Sequence, residues 1–128
     1  MNFDLVVAAL QTIVEIKTLE HATDMDYVGF SVENSKLPAV FYHPAGERAL
    51  GRANVRGHEQ ETAVSFALRV GAKNDQIDAL RKKIKTALTG LIINDSVISG
   101  VEFTEGQVVD VNKSTIYWRD IYTFKTIA

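Results

Sequence analysis

The chain has no cysteine and only two prolines. The first absence excludes disulfides, thiolate catalysis and cysteine-ligated metal, and it is compatible with a reducing compartment. A long hydrophobic run is also missing. The apolar opening, Met1 to Leu10, is interrupted by Asp4, carries no basic residue and ends at Gln11. It is too short to span a bilayer and has the wrong flanks for a signal peptide. Nor is there an excess of one charge: 14 Lys and Arg stand against 16 Asp and Glu, a net charge of −2. The molecule as a whole therefore offers no electrostatic case for binding nucleic acid. What is present is 128 residues with 46% apolar content, the size and composition of one folded domain covering 1–128.

Hydrophobic spacing divides the chain. Phe3, Val6, Leu10, Ile13 and Val14 recur at helical intervals, predicting an amphipathic helix from about Phe3 to Lys17 with Asn2 as its cap and Lys17 at the negative end of its dipole. An acidic mixed stretch follows from Leu19 to Lys36, within which Val28, Phe30 and Val32 alternate as in a short strand. Leu37 to His43 reads as a strand, with Pro38 near its start and Pro44 closing it. The glycine-punctuated run from Ala45 to Gly57 has no sustained period and predicts a long hairpin loop.

The return strand, Glu61 to Val70, places Val64, Phe66, Leu68 and Val70 on one face and Ala63, Ser65, Ala67 and Arg69 on the other. A second helix is expected from about Asp75 to Thr89, capped by Asn74, with the stripe Ile77, Leu80, Ile84, Leu88 and Leu91, and Gly90 just past its end. Lys82, Lys83 and Lys85 lie off that stripe, as a solvated face does. Val97 to Phe103, extended by Gln107 to Val111, forms a third strand before a turn at Asn112 to Ser114.

The chain then closes on Ser114 to Ile127, which holds the only tryptophan, and this aromatic run is expected to be tied into a sheet. Ile116, Trp118, Tyr122 and Phe124 share one face with Asp120. Tyr117, Arg119, Ile121 and Lys125 share the other, where Tyr117 and Ile121 are available to meet a neighbour.

No arrangement of residues carries recognisable catalysis. His43 and His58 flank the expected loop with Glu47, Glu59 and Glu61 nearby, but they lack the clustered spacing of a zinc site. Gly46 to Gly51 has a phosphate-loop outline, yet Arg52 and Ala53 stand where that loop needs Lys and Ser or Thr. No serine lies in a nucleophile elbow. Arg48, Arg52 and Arg56 are more informative, recurring every four residues beside a single acid, Glu47. They suit either a solubilising loop tip or a contact with an acidic protein surface, where charge steers encounter and arginine anchors it.

The order helix, strand, long loop, strand, helix, strand, strand resembles the tail terminator (tail completion) proteins of tailed bacteriophages. The resemblance is carried by the helix at Phe3 to Lys17, the Leu37-Pro-Ala-Val-Phe41 strand, the alternating Val64 to Val70 strand, the helix Asp75 to Leu88 and the closing Tyr117 to Phe124 strand. It implies an α+β fold, an antiparallel four-stranded sheet with two helices packed against it in the order α-β-β-α-β-β. It also implies a homohexameric ring without cofactors, assembled in the host cytoplasm and resident in the virion tail or neck. Such a ring caps the tail tube, ends its polymerisation and meets the head-side connector. The alternatives are another head–tail joining or neck protein, which shares this size and composition, and a small ligand-binding α+β domain with a pocket between helices and sheet. Arg48, Arg52 and Arg56 would project towards tube or neighbouring subunits, with Tyr117, Arg119 and Ile121 as further interface candidates.

Overall fold

In the computed structural model, which describes residues 1–22, 34–50, 61–93 and 97–127, the chain builds five strands and two α-helices in the order α1 (Asp4–Gln11), β1 (Thr18–His21), β2 (Ala39–Leu50), β3 (Glu61–Lys73), α2 (Ile77–Leu88), β4 (Val97–Asn112) and β5 (Thr115–Ile127), with a 3-10 turn at Asn34–Lys36 before β2. The sheet order is β1-β2-β3-β5-β4. β1 runs parallel to β2, pairing Thr18 with Ala39 through His21 with Tyr42. The other neighbours are antiparallel. The expected four antiparallel strands are thus five in a mixed sheet. The added one, β1, has only four residues and lies where the sequence shows a polar mixture without alternation, so no periodicity announces it.

Both helices lie against one face of the sheet. Val6 and Leu10 of α1 and Ile77, Leu80, Ile84 and Leu88 of α2 are buried with Phe66, Leu68, Val70, Tyr122 and Phe124 in the main core. The stripe read from spacing in α2 is the stripe that is buried, and Gly90 takes a φ of +83°, the left-handed conformation that glycine supplies after a helix end. Phe66 stacks on Tyr122 directly across the β3–β5 pair, while Phe3 meets Phe66 and Phe103 meets Tyr122 edge-on. Such pairs add specificity beyond the area they bury.

Helix α1 stops six residues short of its expected end. Thr12 turns its hydroxyl back onto the carbonyl of Ala9 at 2.6 Å, and the following Ile13, Val14 and Ile16 are β-branched, stiff at χ1 and weak at continuing a helix. Val14 is left 87% exposed, and Lys17 donates its N–H to the carbonyl of Pro38 on the way into β1. Asn2 does serve the first turn, its Oδ1 accepting from the Asp4 N–H at 2.8 Å. Asn74 does not cap α2: the position before the helix is Gln76, with no side-chain cap, and the Asn74 N–H donates to the Ser114 carbonyl instead. The alternating Val28, Phe30 and Val32 fall outside the described residues.

The greatest departure from expectation is in β2. It does not end at Pro44 but continues to Leu50, antiparallel to Glu61–Ser65 of β3, after a bulge between Pro44 and Gly46. The bulge accommodates a residue without an N–H. It also exchanges the faces. Before it Ala39 pairs with Gly71 and His43 with Ala67; beyond it Gly46 pairs with Ser65 and Arg48 with Ala63. Odd-numbered β2 residues lie on the helix-free face before the bulge and even-numbered ones after it.

Candidate assembly surface

The helix-free face of the sheet has two zones. Near the β1 end of the sheet Leu37, Ala39, Phe41 and Tyr117 form a second, smaller apolar cluster with Ala22 packed against it. The Tyr117 ring lies over Gly71, its paired residue; a Cβ there would fall 2.3 Å from the ring. His43 is buried in the same zone, and its Nδ1–H donates to the Pro44 carbonyl at 2.8 Å. Burial, and then the neighbouring charges of Arg119, His21 and Arg69, hold the His43 pKa below its usual value against the opposing pull of that hydrogen bond.

The second zone is open. Arg48, Ala63 and Lys125 form one row across β2, β3 and β5, and the next row holds Gly46, Ser65, Thr123 and, on β4, Glu102. Hydroxyls floor it: Ser65 Oγ and Thr123 Oγ1 are 2.9 Å apart, and Thr104 Oγ1 donates to Thr123 Oγ1 at 2.8 Å. With Glu105 and Ile121 at its side, the zone is a shallow depression of about 480 Å³. It is bipolar, with cations towards β2 and β5 and carboxylates along β4. Among the described residues the ion pairs are Arg81–Asp120 and Lys83–Glu15, both outside the depression, and Arg48, Lys125, Glu102 and Glu105 form none.

The six interface candidates separate accordingly. Arg48 is exposed, but on a strand rather than a loop tip. Arg119 is half-buried. Tyr117 and Ile121, expected to face a neighbour, are 2% and 8% exposed within the single chain. Arg52 and Arg56 lie outside the described residues. Among the described residues no group of His, Cys, Asp and Glu is placed to hold a metal ion. No helix among them is long and apolar enough to cross a membrane.

One polar feature of the helix side was not singled out from the sequence. Asp120, fully buried, accepts two hydrogen bonds from Arg81 of α2, at 3.0 Å from Nε and 2.8 Å from Nη2. The Arg81 guanidinium lies 3.6 Å over the Trp118 ring. The signal was available: an aspartate on the apolar side of an alternating strand requires a cationic partner, and Arg81 is the residue of α2 that can supply a planar bidentate one.

No curated protein matches the sequence. The fold has a counterpart in a solved structure described as the virion of a native gene transfer agent particle, with a TM-score of 0.59 at 12% identity, covering 96% of this chain and 92% of that one. The family model for phage tail terminator proteins matches residues 1–128. The chain therefore belongs to the phage tail terminator protein family, structural components of the virion tail.

Proposed function

We propose that this protein acts by binding alone: it assembles into a homohexameric ring that caps the tail tube, ends its polymerisation and offers its other surface to the head-side connector. The observation that carries this reading is the family match over the whole of residues 1–128. The helix-free face supports it, because a depression floored by hydroxyls and edged by unneutralised charges is suited to protein contact and not to a small apolar ligand. Arg48 and Arg119, together with Arg52 and Arg56, are the side chains proposed to meet tube or neighbouring subunits.

A ring of this kind is heterologous, one surface of each copy meeting a different surface of the next until rotation closes it. Modest contacts repeated around it give tight docking without a strong individual site. Native mass by light scattering across a concentration series, with negative-stain images of the same fractions, tests the ring. The expected species is a closed assembly of about six copies. Tube capping is tested by adding the protein to polymerising tail-tube protein: tubes of limited length are expected, and tubes of unchanged length would overturn the reading.

A further inference from the structure

Among the described residues the sheet ends in two margins without a strand neighbour, and the charges they show on the helix-free face are of opposite sign. β4 is the outermost strand, with sixteen residues. Between Val97 and Asn112 it carries Glu102, Glu105 and Asp110 and no lysine or arginine. Val108, Val109 and Val111 are exposed on it. Edge strands that must stay unpaired are generally short, or blunted by charge (lysine above all), proline or bulges. This one is long, has no lysine or proline, and is blunted only by its three carboxylates and four register shifts.

On the other side β1 covers β2 only from Ala39 to Tyr42. Pro44 and the bulge interrupt the strand after that. Among the described residues, Gly46–Leu50 then runs on with β3 on one side and no strand on the other. This second margin carries Glu47 and Arg48, and it is Arg48 that lies on the helix-free face, where the β4 carboxylates also lie.

We infer that the two margins are partners between copies: the β4 edge of one subunit pairs with the Gly46–Leu50 segment of the next, continuing the sheet from copy to copy. The inference rests on the ring reading and names the contact that would build the ring. Charge selects this arrangement. Two β4 edges related by a twofold axis would set Glu102, Glu105 and Asp110 against their own copies, and like charges facing across strands are destabilising. Arg48 facing the β4 carboxylates removes that conflict, and main-chain hydrogen bonds between edges supply affinity as in strand addition generally. The contact is head-to-tail, which is the type that rotation can close.

Charge exchange tests it. Glu102, Glu105 and Arg48 are all exposed, so Glu102→Lys with Glu105→Lys, and separately Arg48→Glu, should leave the circular dichroism spectrum and Tm unchanged. Each should weaken assembly on the order of tenfold or more. The three substitutions in one chain should restore assembly, since every interface then has its signs reversed together. Arg48→Cys with Glu105→Cys gives a second readout. Within one chain these positions are three strand spacings apart across the sheet, roughly 14 Å, and offset by four residues along β5 as well, beyond the reach of a disulfide. Oxidised assemblies should therefore yield a ladder of cross-linked copies, each single variant giving no product beyond a dimer. Wild-type rings that persist in both charge variants, with no ladder, overturn the inference and leave the ring reading standing. A wild-type protein that is monomeric at every concentration and does not limit tube length overturns both.

Discussion

Asp120 and Tyr122 lie two residues apart on the same face of β5, and the fold treats them differently. Asp120 has both carboxylate oxygens satisfied by Arg81. The Tyr122 hydroxyl is buried with no hydrogen-bond partner among the described residues, and burial followed by the nearby Asp120 charge raises its pKa. Tyr122→Phe should keep the stacked ring and lose only an unsatisfied group, leaving stability unchanged or raised by about 1 kcal/mol in denaturant titration. Asp120→Ala should cost about 3 kcal/mol, because it strands a guanidinium that is itself mostly buried.

His43 gives a pH dependence at the same scale. Its pKa is lower folded than unfolded, so above the unfolded value near 6.5 both states are neutral and the residue contributes no slope. On acidification the unfolded chain takes up the proton first, so stability falls as pH drops below that value. His43→Gln should flatten the Tm profile between about pH 7 and 5. Glu15, held below the ordinary carboxylate value by its hydrogen bond from Lys83, acts only at lower pH. A profile with the same slope in the variant would show that another group titrates there.

At the scale of elements, the helix α2 stripe, the β3 alternation and the aromatic β5 were legible because each has a strong period sustained over ten or more residues. The elements misread were those governed by pairing rather than by pattern. β1 exists because β2 offers it a parallel neighbour, and nothing in Thr18 to His21 alone requires a strand. Residues 45–50 looked like loop because glycine and proline punctuate them, yet the bulge absorbs both and lets pairing resume. Counting alternation from Ala39 would place Arg48 on the helix side; the bulge turns it to the other face. Tyr117 and Ile121 were read correctly as one face of β5, but which part of that face is covered depends on tertiary packing that strand parity does not encode. The depression itself, assembled from four strands, has no local signature.

Two substitutions separate the contributions of pattern and conformation in α2. Ile84→Ala removes a fully buried side chain from the centre of the stripe and should cost about 2–5 kcal/mol. Gly90→Ala meets no atom within 4 Å, so its cost, about 1 kcal/mol, should come only from holding an L-residue at positive φ. Urea titration with unchanged m-values checks both. A neutral Gly90→Ala would mean that the turn relaxes to negative φ.

At the scale of the whole molecule, one feature of the topology governs how the protein comes into being. β5 is the last strand to be made, yet it sits between β3 and β4. Until it emerges from the ribosome, β3 lacks one neighbour and β4 has none, so helices and hairpin can form but the sheet cannot close. The surface proposed for assembly, shaped by β2, β3, β4 and β5 together, is therefore absent from every shorter nascent chain. On the proposed ring, newly made copies on one polysome are held apart by timing, since none can recruit another until β5 has been made.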